Sequence, residues 1–248
     1  MKREILLTLL LTTTLFMATG FSQAQRLRIM SYNIRNAKGM DNKIDYSRVA
    51  KIISAVHPDI VAVQELDSAT ARSGNTDVLK EVANQCGYHY YFGPAISYDG
   101  GKYGVGVLTK EKPLNVTNVP LPGKEEKRNL EMVEFKDFYF FTVHLSLTEA
   151  DRNTSIEIIN EQVSKIKKPV FLAGDFNAEP SSAAILNLKK TNWQLLSGED
   201  YTFPSTKPDR CIDYIFAGNG KKWKIINAEV FNDDIASDHR PVWVELEQ

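Results

Sequence analysis

Six short motifs each set a polar side chain at or just past the end of an apolar run. Asn33 follows Ile29-Met30-Ser31-Tyr32, and Glu65 closes Ile60-Val61-Ala62-Val63-Gln64. His144 follows Phe140-Phe141-Thr142-Val143. Asp175 and Asn177 lie in Gly174-Asp175-Phe176-Asn177, directly after Val170-Phe171-Leu172-Ala173. Asp213 follows Cys211-Ile212, and Asp238 and His239 stand side by side in Ser237-Asp238-His239-Arg240-Pro241. A carboxylate at the end of an apolar run is expensive to bury unless it is paired or bound to a cation. Asp175 and Asn177 are two positions apart, so in extended backbone both face one way. Taken one at a time, Asn33 reads as a turn cap and His144 as a core histidine. Taken together, the set is hard oxygen ligands with two imidazoles and no thiolate, which suits Mg²⁺ or Mn²⁺ better than zinc. There is no Gly-rich phosphate loop ending in Lys-Ser/Thr and no Gly-x-Ser-x-Gly elbow, which argues against nucleotide-driven transfer and against a serine hydrolase.

The elements that must position these residues alternate. Strands are expected at 27–33, 60–64, 88–92, 104–108, 131–135, 138–143, 170–173, 212–216, 223–231 and 241–246. Lys136-Asp137 is read as the turn of a hairpin. Helices are expected at 46–56, 77–86, 149–165 and 181–188; His57-Pro58-Asp59 stops the first and Gly87 closes the second. No linker, repeat or low-complexity run divides the chain, so it reads as one domain mixing strands and helices.

At this point the ordered motifs resemble the endonuclease/exonuclease/phosphatase superfamily. The residues that carry the resemblance are Ser31-Tyr32-Asn33-Ile34-Arg35, Val63-Gln64-Glu65, Thr142-Val143-His144-Leu145, Gly174-Asp175-Phe176-Asn177, Arg210-Cys211-Ile212-Asp213-Tyr214-Ile215 and Ser237-Asp238-His239-Arg240-Pro241. The likeness runs from about residue 27 to 246. It implies an α/β (α+β) four-layer sandwich, two mixed sheets face to face with helices outside and the site at one rim. It implies that Glu65, helped by Asn33 and Asp238, ligates Mg²⁺ or Mn²⁺. Asp175 and Asn177 would orient water and phosphate, and Asp213 would fix the His239 ring, which contacts the phosphate or acts as base. His144 would hold a non-bridging oxygen or protonate the leaving oxygen. Tyr103 and Arg128 are the substrate-side candidates, each with a plain alternative as a strand-start Tyr and a surface Arg.

The composition allows a globular enzyme. The chain has 248 residues, 43% hydrophobic and 25% charged, with a formal net charge of −1. That excludes a disordered chain and a wholesale polycation. Basic clusters at Lys165-Lys167-Lys168, Lys189-Lys190 and Lys221-Lys222-Lys224 read as solvated faces. Lys2 and Arg3 precede an uncharged Leu-rich stretch, and Ser22-Gln23-Ala24 offers small residues three apart. Residues 1–24 are therefore expected to be a cleaved signal peptide, and residues 25–248 a single catalytic domain. The protein is expected to be exported to the periplasm or beyond, to act as a monomer, and to have no transmembrane segment in its mature part. Cys86 and Cys211 are read as two small buried hydrophobes rather than a bridge.

The expected activity is divalent-metal-dependent hydrolysis of a phosphoester, a diester first. Nucleic acid, phospholipid and inositol or sugar phosphate all remain open as substrate, though export argues against DNA repair. An inactive binding module on the same fold is the alternative from another class. The complete motif set argues against it.

Overall fold

The computed structural model describes residues 26–220 and 222–247. The expected signal peptide lies outside them. The first sheet is built from β1 (Arg26–Asn33), β2 (Ile60–Ser68), β3 (His89–Tyr98), β4 (Gly101–Thr109), β11 (Lys224–Val230) and β12 (Val242–Glu247), in the order β11-β12-β1-β2-β4-β3. The second holds β5 (Asn115–Leu121), β6 (Arg128–Glu134), β7 (Tyr139–His144), β8 (Val170–Asp175), β9 (Gln194–Leu195) and β10 (Asp213–Gly218), in the order β5-β6-β7-β8-β10-β9. One pair in each sheet is parallel, β1 with β2 and β7 with β8; the rest are antiparallel, so both sheets are mixed. Helices α1 (Tyr46–Val56) and α2 (Val78–Cys86) cover the first sheet, and α3 (Glu149–Ser164) and α4 (Ala183–Lys190) the second. This is the expected four-layer sandwich.

Local chemistry starts and stops the helices where the sequence indicates. The Asp45 carboxylate accepts from the Ser47 and Arg48 amides to cap α1, and left-handed His57 before Pro58 ends it. Asp77 caps α2 by accepting from the Lys80 amide, and left-handed Gly87 closes it. Five strands differ usefully from expectation. β2 does not end at Glu65 but continues to Ser68, and β3 and β4 run on as a long hairpin. β5 and the two-residue β9 were not expected at all. β5 carries Pro120 and is exposed along most of its length, as an edge strand can be.

The two inward faces explain where the site must be. Side chains on a strand alternate, so every second residue points between the sheets. On β7 that row reads Phe140, Thr142, His144; on β8 Phe171, Ala173, Asp175; on β10, read backwards, Ala217, Ile215, Asp213; on β1 Ile29, Ser31, Asn33. Each row is apolar in the middle of the sandwich and polar at one rim. Register then aligns the rows: His144 pairs with Asp175 and Asp175 with Asp213. Gly174 allows this, since a Cβ there would lie 2.1 Å from the Val143 carbonyl oxygen and push β8 away from β7.

A second polar level lies beneath the rim. Gln64 Nε2 donates to Thr142 Oγ1 across the sheets at 3.3 Å. Beside Thr142 on β6 stands Glu131, fully buried, with neither carboxyl oxygen bonded. Burial pushes its carboxyl well above the usual carboxylate range.

Candidate active site

The rim brings nearly all the expected residues together. Asn33 is the hinge between the sheets: its Nδ2 donates to Glu65 Oε1 at 2.9 Å and to Asp175 Oδ2 at 3.0 Å. Its side-chain oxygen, Oδ1, accepts from the Arg35 amide at 3.1 Å. The backbone behind it is tied by Ser237 Oγ, which donates to the Asn33 oxygen at 2.7 Å and so sets the Asp238-His239 turn against β1. His239 Nδ1 stands 2.9 Å from Asp213 Oδ2, and its Nε2 is 3.6 Å from Asp175 Oδ2. Thr202 Oγ1 donates to the same Asp213 oxygen at 2.5 Å. His144 Nε2 lies 3.5 Å from Asp175 Oδ2 on its other side. Asp175 is thus contacted from both imidazoles and from Asn33.

Glu65 reaches the rim through a bulge. Pairing of β2 with β4 shifts between Val63 and Leu66, and Glu65 sits there at φ 58°. A left-handed non-glycine residue costs about 1–2 kcal/mol and persists where the surroundings hold it. Here the bulge lets Gln64 point between the sheets while Glu65 turns into the cleft. Asn177 is also left-handed, at φ 48°, so the extended geometry expected for it does not hold. Its amide N–H donates to Asp175 Oδ1 at 2.8 Å and its Nδ2 to the Leu145 carbonyl at 2.9 Å. Asn177 therefore fixes Asp175 and the loop after β7.

Tyr103, Arg128 and His144 line one small pocket beside the carboxylates. Tyr103 lies inside β4 rather than at a strand start. Arg128 is not a surface residue: it is 6% exposed and clamped between Glu125 Oε1 at 3.1 Å and Glu126 Oε1 at 2.9 Å. Asp238 is more open, with Oδ2 3.6 Å from Arg35 Nε. Cys86 and Cys211 are both free thiols, Cys211 buried at the entry to β10 and Cys86 only half-buried.

The electrostatics separate the two imidazoles. Burial lowers the pKa of His144 well below its ordinary value, and the positive charges of Arg128 and His239 add to this. For His239 burial acts the same way, but the Asp213 and Asp175 carboxylates outweigh it, and its pKa rises to about 10. His144 is neutral and His239 charged at neutral pH. Burial raises the pKa of Asp175 above the carboxylate range, against the pull of His239. Glu65 is raised too, by burial first and then by the like charge of Asp238, with Asn33 opposing.

The donors fit a hard divalent cation. Asp175, Asp213 and His239 offer ligand atoms all within 4.8 Å of one another. The second Asp213 oxygen, Oδ1, is buried without a partner, and the like charge of Asp238 acts on buried Glu65. Either arrangement is one that a cation would relieve. The expected ligand set of Glu65, Asn33 and Asp238 therefore has a neighbour in Asp175, Asp213 and His239, which the sequence had suggested only for orientation and base roles. In this geometry Asn33 spends its N–H groups on the carboxylates, leaving its carbonyl oxygen as its only ligand atom. Thr202, Glu125, Glu126, Asp67 and Arg72 also shape the site. None follows an apolar run at a strand end, the signal that found the others.

Comparison with known proteins bears on the family and the fold. The family model described as "Endonuclease/Exonuclease/phosphatase family" matches residues 30–239. The fold is similar to an endonuclease/exonuclease/phosphatase from Beutenbergia cavernae, at 23% identity and TM-score 0.77, covering 90% of this chain and 71% of that one. It is similar to a mannosyl-6-phosphatase of Bacteroides thetaiotaomicron, at 21% identity and TM-score 0.71, covering 89% and 99%. It is also similar to the human Nocturnin catalytic domain with bound sulfate, at 19% identity and TM-score 0.68, covering 90% and 95%. Comparison with curated protein sequences gives no match.

Proposed function

Because this chain belongs to the endonuclease/exonuclease/phosphatase family of hydrolytic phosphoesterases, we propose that it hydrolyses a phosphodiester with the help of Mg²⁺ or Mn²⁺. The observation that carries the reading is the Asn33 bridge, which joins Glu65 of one sheet to Asp175 of the other beside the His239–Asp213 pair. Glu65 and Asp238, with the Asn33 carbonyl, would hold the cation. When bound, the cation would neutralise charge on the phosphoryl oxygens, an effect that can supply several kcal/mol.

The chain's own residues divide the remaining work. Asp175, raised in pKa and held by the Asn177 amide, is poised to take the proton of an attacking water. His239, charged and oriented by Asp213, can contact a phosphoryl oxygen or give its proton to the leaving oxygen. Two imidazoles pushed apart in pKa suit two different roles. Neutral His144 fits the support of a non-bridging oxygen better than the proton-donor role also open to it.

The fold neighbour named as a mannosyl-6-phosphatase makes a phosphomonoester the second reading. The test is a panel with added Mg²⁺ or Mn²⁺: bis-p-nitrophenyl phosphate, p-nitrophenyl phosphate, plasmid DNA, RNA, sphingomyelin and hexose phosphates. Chelator-sensitive cleavage of diesters over monoesters supports the proposal. A preference for the monoester would move the activity to the second reading, and no cleavage of any member would favour the binding module. We further propose an exported enzyme, to be checked by sequencing the N-terminus of the protein as cells make it. Among the described residues no helix is long and apolar enough to cross a membrane.

A further inference from the structure

The two carboxylates on Arg128 differ in how they are held. Glu125 is built into the loop after β7: its Oε1 accepts from the Leu147 amide at 2.9 Å and from Arg128 Nη2 at 3.1 Å, and its Oε2 accepts from Ser146 Oγ at 2.9 Å. Glu126 has a single partner. Its Oε1 lies 2.9 Å from Arg128 Nη1, and its side chain makes no other hydrogen bond or ion pair among the described residues. The Glu126 side chain is 30% exposed, whereas the arginine it holds is 6% exposed. The loop itself is short and closed. Residues 122–127 join β5 to β6, and Leu121 pairs with Arg128 across its base. Gly123 packs so closely that a Cβ there would lie 1.8 Å from the Glu126 carbonyl oxygen. The Glu126 backbone is therefore held, and its freedom lies in the side chain, which can turn out to water.

Glu126 stands where substrate has to go. It lines the pocket shared by Tyr103, Arg128 and His144, and with Glu126 in place that pocket has a volume of about 10 Å³. That is room for about one water molecule, less than a phosphoryl group needs. Arg128 Nε is buried without a partner, so the guanidinium has a donor left over.

We propose that Glu126 is a built-in stand-in for the substrate's phosphoryl group, an autoinhibitory carboxylate that sits on Arg128 in the free protein and must leave it before substrate binds. The inference rests on the phosphoester reading above and adds a gate to it. The exchange keeps the charge on Arg128 balanced: the guanidinium trades a carboxylate oxygen for a phosphoryl oxygen, and its fork suits either. Apparent affinity for the phosphoryl group is then reduced by the fraction of the protein in which Glu126 has swung out.

The test measures binding and needs no turnover. Inorganic phosphate, which can be bound but not hydrolysed, is titrated by calorimetry into the protein with Mg²⁺ present. Glu126→Ala should bind it about fivefold tighter than wild type, the size of one partly exposed ion pair that no longer has to be given up. Glu126→Asp keeps the charge but shortens the reach to Arg128, so it should also bind tighter than wild type. Unchanged or weaker binding by Glu126→Ala would overturn the gate and make Glu126 a clamp that positions Arg128. A gain in Glu126→Ala with none in Glu126→Asp would overturn it as well, because general repulsion of an anion needs no contact with Arg128. Phosphate that binds none of the three proteins would count against the phosphoester reading and the gate together, whereas equal binding to all three removes the gate alone.

Discussion

Replacing Glu131 by Gln should stabilise the protein, by an amount that grows with pH. Glu131 is fully buried between the sheets with both carboxyl oxygens unpartnered, and burial pushes its pKa well above 4.5. In the unfolded chain the group ionises near that ordinary value; in the folded chain it keeps its proton. Folding must then take up a proton at any pH between the two values. Below the unfolded pKa both states are protonated and nothing is lost. Above it, stability falls by about 1.4 kcal/mol per pH unit until the folded carboxyl itself ionises. The penalty at one unit above 4.5 is therefore about 1.4 kcal/mol, and at two units about 2.7 kcal/mol. Glu131→Gln keeps the shape and removes this term. Glu131→Leu also removes the unpartnered polar atoms, worth a further ~1–3 kcal/mol. For a chain of this length 1 kcal/mol moves Tm by about 2–4 °C. Thermal unfolding of wild type and Glu131→Gln, compared at half-unit steps from pH 4.5 to 7, should show curves that meet at the acid end and separate by roughly 5–10 °C two units above it. A separation that does not change with pH would refute the reasoning, because it would mean that Glu131 titrates alike in both states.

Three further outcomes follow from the site. Asp213→Asn removes the carboxylate 2.9 Å from His239 Nδ1, so activity should fall by less than the ~10⁴ that the like change costs a serine-protease triad, and the alkaline limb of the rate profile should move to lower pH as the His239 pKa drops. His144→Ala should slow a natural ester and bis-p-nitrophenyl phosphate by similar factors, since a neutral ring held by burial supports charge rather than supplying a proton; selective loss on the poorer leaving group would restore the proton-donor role. Gly174→Ala should destabilise by more than ~2 kcal/mol in urea unfolding, because its Cβ would meet the Val143 oxygen at 2.1 Å; a change under 1 kcal/mol would show that β7 and β8 tolerate separation.

The sequence carries the sandwich because its strands are short apolar runs that end in polar residues at one rim, and period-two alternation puts Phe140, Phe171 and Ala217 in one layer, Thr142, Ala173 and Ile215 in the next, and His144, Asp175 and Asp213 at the rim. Residue type revealed Asn33, Glu65 and His144, since each ends an apolar run, and His239 through its place beside Asp238. Backbone sign was not legible: nothing in Gln64-Glu65-Leu66 announces a left-handed bulge, and nothing in Asp175-Phe176-Asn177 announces that Asn177 turns back on Asp175. Long-range partners were equally hidden. Glu125 and Glu126 neutralise Arg128, and Asp67 holds Arg72, through contacts that only the folded loops create. Edge strand β5 escaped because Pro120 and its exposed asparagines look like loop. Glu131 sits in an alternating strand where a carboxylate reads as the outward residue, yet it points inward.

The central claim is that a divalent cation held by Glu65 drives phosphoester hydrolysis at this rim. The most direct measurement is hydrolysis of bis-p-nitrophenyl phosphate by wild type and Glu65→Gln across a full titration of Mg²⁺ and of Mn²⁺. Wild type should be silent in chelator and recover with either metal. Glu65→Gln should fold normally and stay at least about 10²-fold slower even at saturating metal, a loss of about 2.7 kcal/mol of transition-state stabilisation. Wild-type turnover that survives exhaustive chelation, or a Glu65→Gln protein that reaches the wild-type rate at high metal, would contradict the account.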